Sequence, residues 1–414
     1  MIPLTRPAAA LVTALALALP GSPAALASPE SGLRKSLKRA MQNAGPSSGA
    51  FVREAESGAR LFAWNHTKRR ILASNTKLFT VGAALARYGP DGTLVTRVVS
   101  RGEIDPASGE LRGNLFLVGG GDVTFGSRSY VRSEYGGGSP TVENLAKKLY
   151  NRGLRKVSGR VLGDESRYDS RRSGPAEGYA ASAEVGGPLT ALVYNHGLMS
   201  NGYFQRNPPE FAAARLAGAL KKLHVKIGAA SKARHAPVDA DELARVRSLP
   251  MDRIAQLTLL PSDNFFAELL AKGLGDGTTA GGSDVLEAFA RKRHAAVRLS
   301  DGSGLSRANQ APPQEIVQFL DQELDAPEFD ALWSALPIAG VNGTLAGRMR
   351  SGPAHHSCRA KTGTLYGVSA LSGYCDSRGG KRLIFSILMN GQSSDSYAHQ
   401  LQDKMVQSMA NYRG

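Results

Sequence analysis

The sequence predicts an α/β (α+β) catalytic domain built on one antiparallel five-stranded sheet flanked by helices, with a β-rich domain inserted into it. Three observations carry this prediction. A two-strand pattern lies near the start of the chain and a three-strand pattern near its end, and helical spacing lies beside both. The stretch between them changes to short alternating runs broken by Gly, Ser and Asp. The expected boundaries are 28–95 and 246–414 for the two parts of the catalytic domain, 96–245 for the insert and 1–27 for a leader.

The leader is expected from Arg6 as a positive start, an apolar run from Ala8 to Leu19, and an A-x-A cleavage site at Ala25, Leu26 and Ala27, so that the mature chain begins at Ser28. Pro20 and Gly21 break the run short of the roughly 20 residues that a spanning helix needs. The expectation is an exported protein without a transmembrane anchor, in the periplasm or at the cell wall, which excludes work on cytosolic nucleotides and on nucleic acid. A formal net charge of +16 then fits peripheral association with anionic wall polymers or lipid headgroups.

The first strands are Ala50 to Val52 and Arg60 to Trp64, joined by a turn at Ser57 and Gly58. Ser74 opens a helix whose apolar residues Leu78, Phe79, Val81, Ala84 and Leu85 are helically spaced and which stops at Tyr88, Gly89 and Pro90. In the insert, Thr93 to Val99, Asn114 to Val118 and Lys156 to Leu162 read as strands, with a helix near Val142 to Asn151. Helical spacing returns in Met251 to Leu260, Phe265 to Gly273 and near Glu315 to Leu324. The closing strands are His356 to Gly363, Val368 to Cys375 and Leu383 to Asn390, followed by a helix from about Tyr397 to Asn411. Leu401, Met405, Val406 and Met409 form a narrow stripe on that helix without flanking lysines, which favours packing on the sheet over a membrane surface.

Cys358 and Cys375 flank a hairpin centred near Tyr366 and Gly367, so antiparallel register places them opposite each other and an oxidising compartment pairs them. His355 and His356 adjoin Cys358, but no H-E-x-x-H or paired C-x-x-C spacing accompanies them, and no metal or other cofactor is expected.

Three short motifs follow one another: Ser74-Asn75-Thr76-Lys77, Ser262-Asp263-Asn264 and Lys361-Thr362-Gly363. An S-x-x-K alone is expected about once by chance in a chain this long. Each residue also has an ordinary alternative, Ser74 and Ser262 as helix caps and Lys361 as a strand-edge lysine. Together and in order they match the S-x-x-K, S-D-N, K-T-G signature of penicillin-binding proteins and class A β-lactamases. The chemistry asks for these residue types. Residues three apart share a helix face, so Lys77 can take the Ser74 proton if its amine is neutral, and desolvation with a second cation at Lys361 favours that state. The Ser74 N–H at the helix start and the Thr364 N–H are candidate donors to an oxyanion. A rival G-x-S-x-G at Gly45 to Gly49 precedes a strand instead of linking strand to helix, and reads as loop.

Further stretches resemble peptidase family S13, the D-alanyl-D-alanine carboxypeptidases and endopeptidases also called class C low-molecular-mass penicillin-binding proteins. They are Asn114 to Asp122 (NLFLVGGGD), Asp301 to Asn309 (DGSGLSRAN), Leu336 to Leu345 (LPIAGVNGTL) and Arg359 to Ser372 (RAKTGTLYGVSALS). The resemblance implies a serine β-lactamase/penicillin-binding transpeptidase-like fold, peptidoglycan stem peptides as substrates, and β-lactams as covalent inhibitors. It implies Ser74 as nucleophile, Lys77 as base, Ser262 as proton shuttle and Asn264 as holder of the substrate amide, with Asp263 ordering its loop. It also implies Lys361, Thr362 and Thr364 binding the substrate carboxylate, with Gly363 letting a substrate backbone lie against the strand. Asp122 is a candidate for gripping a cationic stem-peptide side chain, or else part of a tight exposed turn. The family nests a second domain within the insert, but only about 150 residues are free here, which suits one domain with the second reduced or missing. A β-lactamase remains the rival enzyme, although Glu328 to Leu332 does not match the E-x-x-L-N of class A. A non-catalytic wall-binding protein is the rival from another class. Carboxypeptidase and endopeptidase action, and the oligomeric state, stay open.

Overall fold

The computed structural model describes residues 29–414, so the expected leader lies outside the described residues. Helix α1 (Pro29–Asn43) leads to the hairpin of β1 (Gly49–Glu54) and β2 (Arg60–Trp64), then to α2 (Thr76–Tyr88). The middle of the chain forms β3 (Val95–Ser100), β4 (Leu115–Val118), α3 (Arg128–Tyr135), α4 (Val142–Asn151), β5 (Val161–Asp164), α5 (Pro208–Lys222), β6 (Lys232–Ala233) and β7 (Asp241–Arg247). It returns through α6 (Met251–Leu259), α7 (Asn264–Leu274), α8 (Thr279–Lys292), α9 (Pro313–Glu323) and α10 (Phe329–Ala335). The last elements are β8 (Cys358–Leu365), β9 (Val368–Asp376), β10 (Arg382–Asn390) and α11 (Asp395–Ala410).

Strands β8, β9, β10, β1 and β2 lie side by side in that order as one antiparallel sheet, uniting the hairpin at the start of the chain with the strands at its end. The two-residue period of a strand divides the central strands between two cores. Ile384 and Leu388 of β10 and Ala370 and Tyr374 of β9 pack with α9, α2 and their neighbours. Leu383, Phe385, Ile387 and Met389 of β10 and Leu371 and Cys375 of β9 pack with α1 and α11. Covered on both faces, β9 and β10 read as nearly continuous apolar runs. Leu401, Met405, Val406 and Met409 of α11 are all buried in the second core, which spends the whole stripe on internal packing. Helix α1 meets the same core through Leu33, Leu37, Ala40 and Met41; four intervening Lys and Arg residues dilute that periodicity in the sequence.

Between α2 and α6 the described residues form a second five-stranded sheet in the order β6-β5-β4-β3-β7. It is mixed: β5 runs parallel to β4 and β6, while β3 is antiparallel to β4 and β7. Helices α4 and α5 cover one face through Leu145, Leu149, Leu216 and Leu220, against Val98, Leu117 and Val161. The insert is β-rich, and it also carries α3 and α5 beyond the single helix expected. Helix α5 is poorly legible because it begins with two prolines, which occupy the first helical turn where no donor is lost, and because alanines make up much of its buried face. Gly163 lets it approach: a Cβ there would run into the Pro209 carbonyl.

In the catalytic domain α2 is buried all round from Thr76 to Leu85, so the helix that begins beside Ser74 runs through the main core. The β8–β9 hairpin pairs Cys358 directly with Cys375 and joins them in a disulfide, which leaves Cys358 unavailable as a metal ligand beside His355 and His356. Replacing both cysteines by alanine is expected to lower stability by about 3 kcal/mol, the chain-entropy value for a loop of this size. Denaturant unfolding in non-reducing buffer measures it, and reductant should destabilise the wild type alone.

Candidate active site

Ser74 lies in a single 3₁₀ turn (Ala73–Asn75) that continues into α2, so Ser74 and Lys77 share the first-turn face. Two glycines from separate segments press on this turn. Gly304, at φ +94°, lies so close that a Cβ would collide with the Ala73 carbonyl. A Cβ on Gly363 would stand 2.9 Å from Ser74 N and 3.0 Å from Leu72 O. The close neighbour that Gly363 admits in this structure is therefore the nucleophile turn itself, in addition to any substrate backbone. Asn75 Nδ2 donates to Lys361 O at 3.0 Å, tying the turn to β8.

Lys77 is fully buried, and its Nζ has three neighbours: Ser74 Oγ at 3.0 Å, Asn264 Oδ1 at 2.6 Å and the Ser303 carbonyl at 2.7 Å. Burial lowers its pKa to about 8, against the opposing pull of Asp263, Asp301 and Glu268. Lys361 is also fully buried and reaches Ser262 Oγ at 2.8 Å and Thr362 O at 2.9 Å. Burial first, and then the charge of Lys77, push Lys361 well below the ordinary lysine range. The middle motif stands between the two lysines. Ser262 occupies the left-handed region at φ +66°, in the tight link from α6 to α7. Asp263 caps α7 by accepting from Phe266 N at 2.7 Å and lies 3.1 Å from His196 Nε2, so it orders its loop.

Asn264 and Asp122 sit in surroundings that the motifs did not show. Asn264, the expected holder of the substrate amide, is engaged at both ends of its side chain: Oδ1 accepts from Lys77 and Nδ2 donates to the Glu184 carbonyl at 2.6 Å. The amide nitrogen carries two N–H groups, so its second donor is left for a substrate carbonyl. Asp122 is not on an exposed turn. It is 1 % exposed, Oδ1 accepts from Thr124 N at 2.8 Å and Thr124 Oγ1 at 2.7 Å, and burial raises its pKa to about 7. Among the described residues it makes no hydrogen bond or ion pair to a motif residue, and the buried Val123 and Phe125 beside it draw the turn inward.

Strand β8 is an edge of the main sheet. Ala339 N donates to Cys358 O at 2.9 Å and Ala360 N to Pro337 O at 3.0 Å, so residues 337–339 cover the first part of that edge. The alternation of a strand then turns the main-chain groups of Thr362 and Thr364 toward the same edge, beyond the cover. Thr364 is exposed, and Thr362 Oγ1 lies 2.7 Å from Thr344 Oγ1. An extended peptide laid there would meet the Thr364 N–H beside the Ser74 N–H.

Several supporting residues are invisible to motif reading. Asp301 accepts from Gly304 N at 2.8 Å, Ser306 N at 2.6 Å and Asn309 Nδ2 at 2.5 Å, folding residues 301–309 so that the Ser303 carbonyl meets Lys77. Thr80 Oγ1 donates to Gly302 O at 2.6 Å and anchors the same loop to α2. Glu268 is buried behind it. The only signal for these roles was the DGSGLSRAN stretch, which marked a likeness without a function, and the four-residue spacing of Asn264 and Glu268 on one helix face.

With this geometry established, the chain was compared with known proteins. The profile of the D-Ala-D-Ala carboxypeptidase 3 (S13) family matches residues 33–197 and 199–412. A D-alanyl-D-alanine carboxypeptidase of Actinomadura sp. (strain R39) is 30% identical over 511 aligned residues, spanning 99% of this chain and 91% of that one. Carboxypeptidase DacB of Mycolicibacterium smegmatis is 28% identical, spanning 82% and 75%. Among solved structures, penicillin binding protein 4 (dacB) of Haemophilus influenzae superposes with a TM-score of 0.72 at 22% identity, over 91% of this chain and 98% of that one. The predatory endopeptidase Bd0816 of Bdellovibrio bacteriovorus gives 0.58 at 19%, over 88% and 93%. Those two likenesses bear on the fold, and they agree with the penicillin-binding architecture of the sheet and helices. The ordered motifs, their convergence around Ser74 and a family match along nearly the whole described chain lead to one conclusion: this chain belongs to the D-Ala-D-Ala carboxypeptidase 3 (S13) family.

Proposed function

We propose that the protein is a serine-type D-Ala-D-Ala carboxypeptidase or D,D-endopeptidase that acts on peptidoglycan stem peptides through a Ser74 acyl-enzyme. The observation that carries this is the surroundings of Lys77 Nζ. Two of its three neighbours, Asn264 Oδ1 and Ser303 O, can only accept, so they take two N–H groups of a neutral amine. The remaining position faces Ser74 Oγ, where a lone pair can accept the hydroxyl proton.

In the proposed reaction the substrate lies along β8 with its terminal carboxylate near Lys361 and the Thr362 and Thr364 hydroxyls. That carboxylate supplies the counter-charge Lys361 lacks, favours its ammonium form, and so pushes Lys77 further toward the neutral base. Ser74 Oγ attacks the D-alanyl carbonyl carbon as its proton passes to Lys77, and the oxyanion is held by the N–H groups of Ser74 and Thr364. Collapse breaks the C–N bond. The leaving amine takes its proton from Ser262, which is resupplied by Lys361 at 2.8 Å, and Lys361 regains its own from the proton that Lys77 accepted, so that Lys77 is neutral again. Water then attacks the acyl-enzyme carbonyl as its proton passes to the restored neutral Lys77, and collapse breaks the ester bond, with Ser74 Oγ taking that proton back from Lys77. A β-lactam opens by the same attack, but its leaving nitrogen stays tethered, so a persistent adduct is expected.

This reading includes an exported protein meeting peptidoglycan in the periplasm or at the wall; among the described residues no helix is long and apolar enough to cross a membrane. A β-lactamase shares the acylation apparatus but needs a base for rapid deacylation. Glu328, the nearest counterpart of the class A glutamate, is instead paired with Arg293 at 2.7 Å.

Three outcomes test the proposal. Intact-protein mass spectrometry with a fluorescent penicillin should show a stable adduct on the wild type and none on Ser74→Ala; fast drug hydrolysis without an adduct would indicate a β-lactamase, and no reaction a wall-binding protein. Lys361→Ala should reduce kcat/KM on a D-Ala-D-Ala peptide by about 100-fold or more, the scale of a lost charge-assisted pair. The loss should be much smaller on the C-terminal amide of the same peptide. Because only neutral Lys77 accepts a proton, the acylation rate should rise with pH and level off near 8, falling about tenfold per unit below that, which stopped-flow penicillin binding can follow.

A further inference from the structure

Glu268 on α7 belongs to none of the three motifs, yet it stands one turn below Asn264 on the same face of the helix. It is 1 % exposed, its Oε1 accepts from Ser303 N at 2.8 Å, and its Oε2 is buried without a hydrogen-bond partner. The carbonyl of that same Ser303 accepts from Lys77 Nζ at 2.7 Å. One residue is thus gripped at its N–H by Glu268 and presents its oxygen to the base. We propose that Glu268 is a positioning residue that holds the Ser303 carbonyl on Lys77 and, through its own charge, sets the pH at which Lys77 becomes the neutral base. The inference rests on the acyl-enzyme reading above.

The physical basis is the absence of bulk water. The charged groups near Glu268 are Lys77 on α2 and Asp301 in the loop, with Lys272 one turn further along α7; Asp263, which caps α7, and Lys361 on β8 act on Lys77 or are acted on by it. Lys272 is already ion-paired with Asp169, and Asp301 is committed to its loop. Glu268 is the acid here with an oxygen left over. Burial, and then the charge of Asp301, raise it to about 7, and its charge in turn favours the Lys77 ammonium. When Glu268 is ionised it favours the Lys77 ammonium and delays the base; when protonated it releases that hold. On this proposal the two groups titrate as a linked pair.

The test is the acylation rate by penicillin as a function of pH. Glu268→Gln keeps an acceptor for Ser303 N–H but removes the charge. Its rising limb should move toward acid by about half a pH unit or more relative to wild type, with the plateau little changed. Glu268→Ala should show the same displacement with a lower plateau, because Ser303 is released, and Glu268→Asp should return the limb toward its wild-type position. A purely structural role would lower rates without moving the limb. Should Glu268→Gln not fold, NMR titration of the Lys77 side-chain methylene in wild-type protein replaces it, with two inflections expected and a single one overturning the inference. A wild type that is acylated at Ser74 while Glu268→Gln keeps its limb overturns this inference alone. A wild type that is never acylated at Ser74 removes the acyl-enzyme reading as well.

Discussion

An ammonium group withdrawn from water loses hydration that only well-placed acceptors can replace, and the active site withdraws two of them. Lys77 and Lys361 are both fully buried. Much of the surrounding architecture serves to hold them there. The Asp301 loop delivers a carbonyl to Lys77, α7 delivers Asn264, and Ser262 is held in a left-handed conformation where its hydroxyl meets Lys361. Partial compensation is the useful condition. Full pairing with carboxylates would fix both lysines as cations, and no acceptors at all would expel them from the fold.

The scaffold explains how such contacts persist. Helix α2 is buried on all sides and begins next to the nucleophile, so Ser74 stands on a rigid element rather than a mobile loop. Gly304 and Gly363 let two separate segments close on the Ala73–Ser74 peptide. Strand β8 brings Lys361 inward while turning the main chain of Thr362 and Thr364 toward the sheet edge, so one strand supplies both charge and a docking rail. The disulfide fastens the same strand to β9 just before the third motif.

Legibility followed periodicity and chemistry. The main-sheet strands, α2, α6, α7 and α11 could be read because each buries a regular set of apolar residues. Helix α5 was obscured by its prolines and alanines, and α1 by its many cations. Ser74, Lys77, Ser262, Asn264 and Lys361 were legible as residue types at set spacings, whereas Glu268 and Ser303 act through a side-chain contact and a peptide carbonyl that no motif encodes. Asp122 misled because a glycine run before an acid resembles an exposed turn, although the neighbouring Val123 and Phe125 pull it into the core.

By itself the sequence determined the order of the elements, the reactive residue types and the family likeness, since these depend on local spacing and on side-chain identity. The tertiary structure alone decided which oxygen atoms surround Lys77, that Asn264 is shared with Glu184, that Asp122 is enclosed, and that Glu268 stands behind the base. Such facts depend on contacts between segments as distant as Lys77 and Ser303, 226 positions apart. Burial, which shifts the affinity of these groups for protons, exists only once those segments have closed around them.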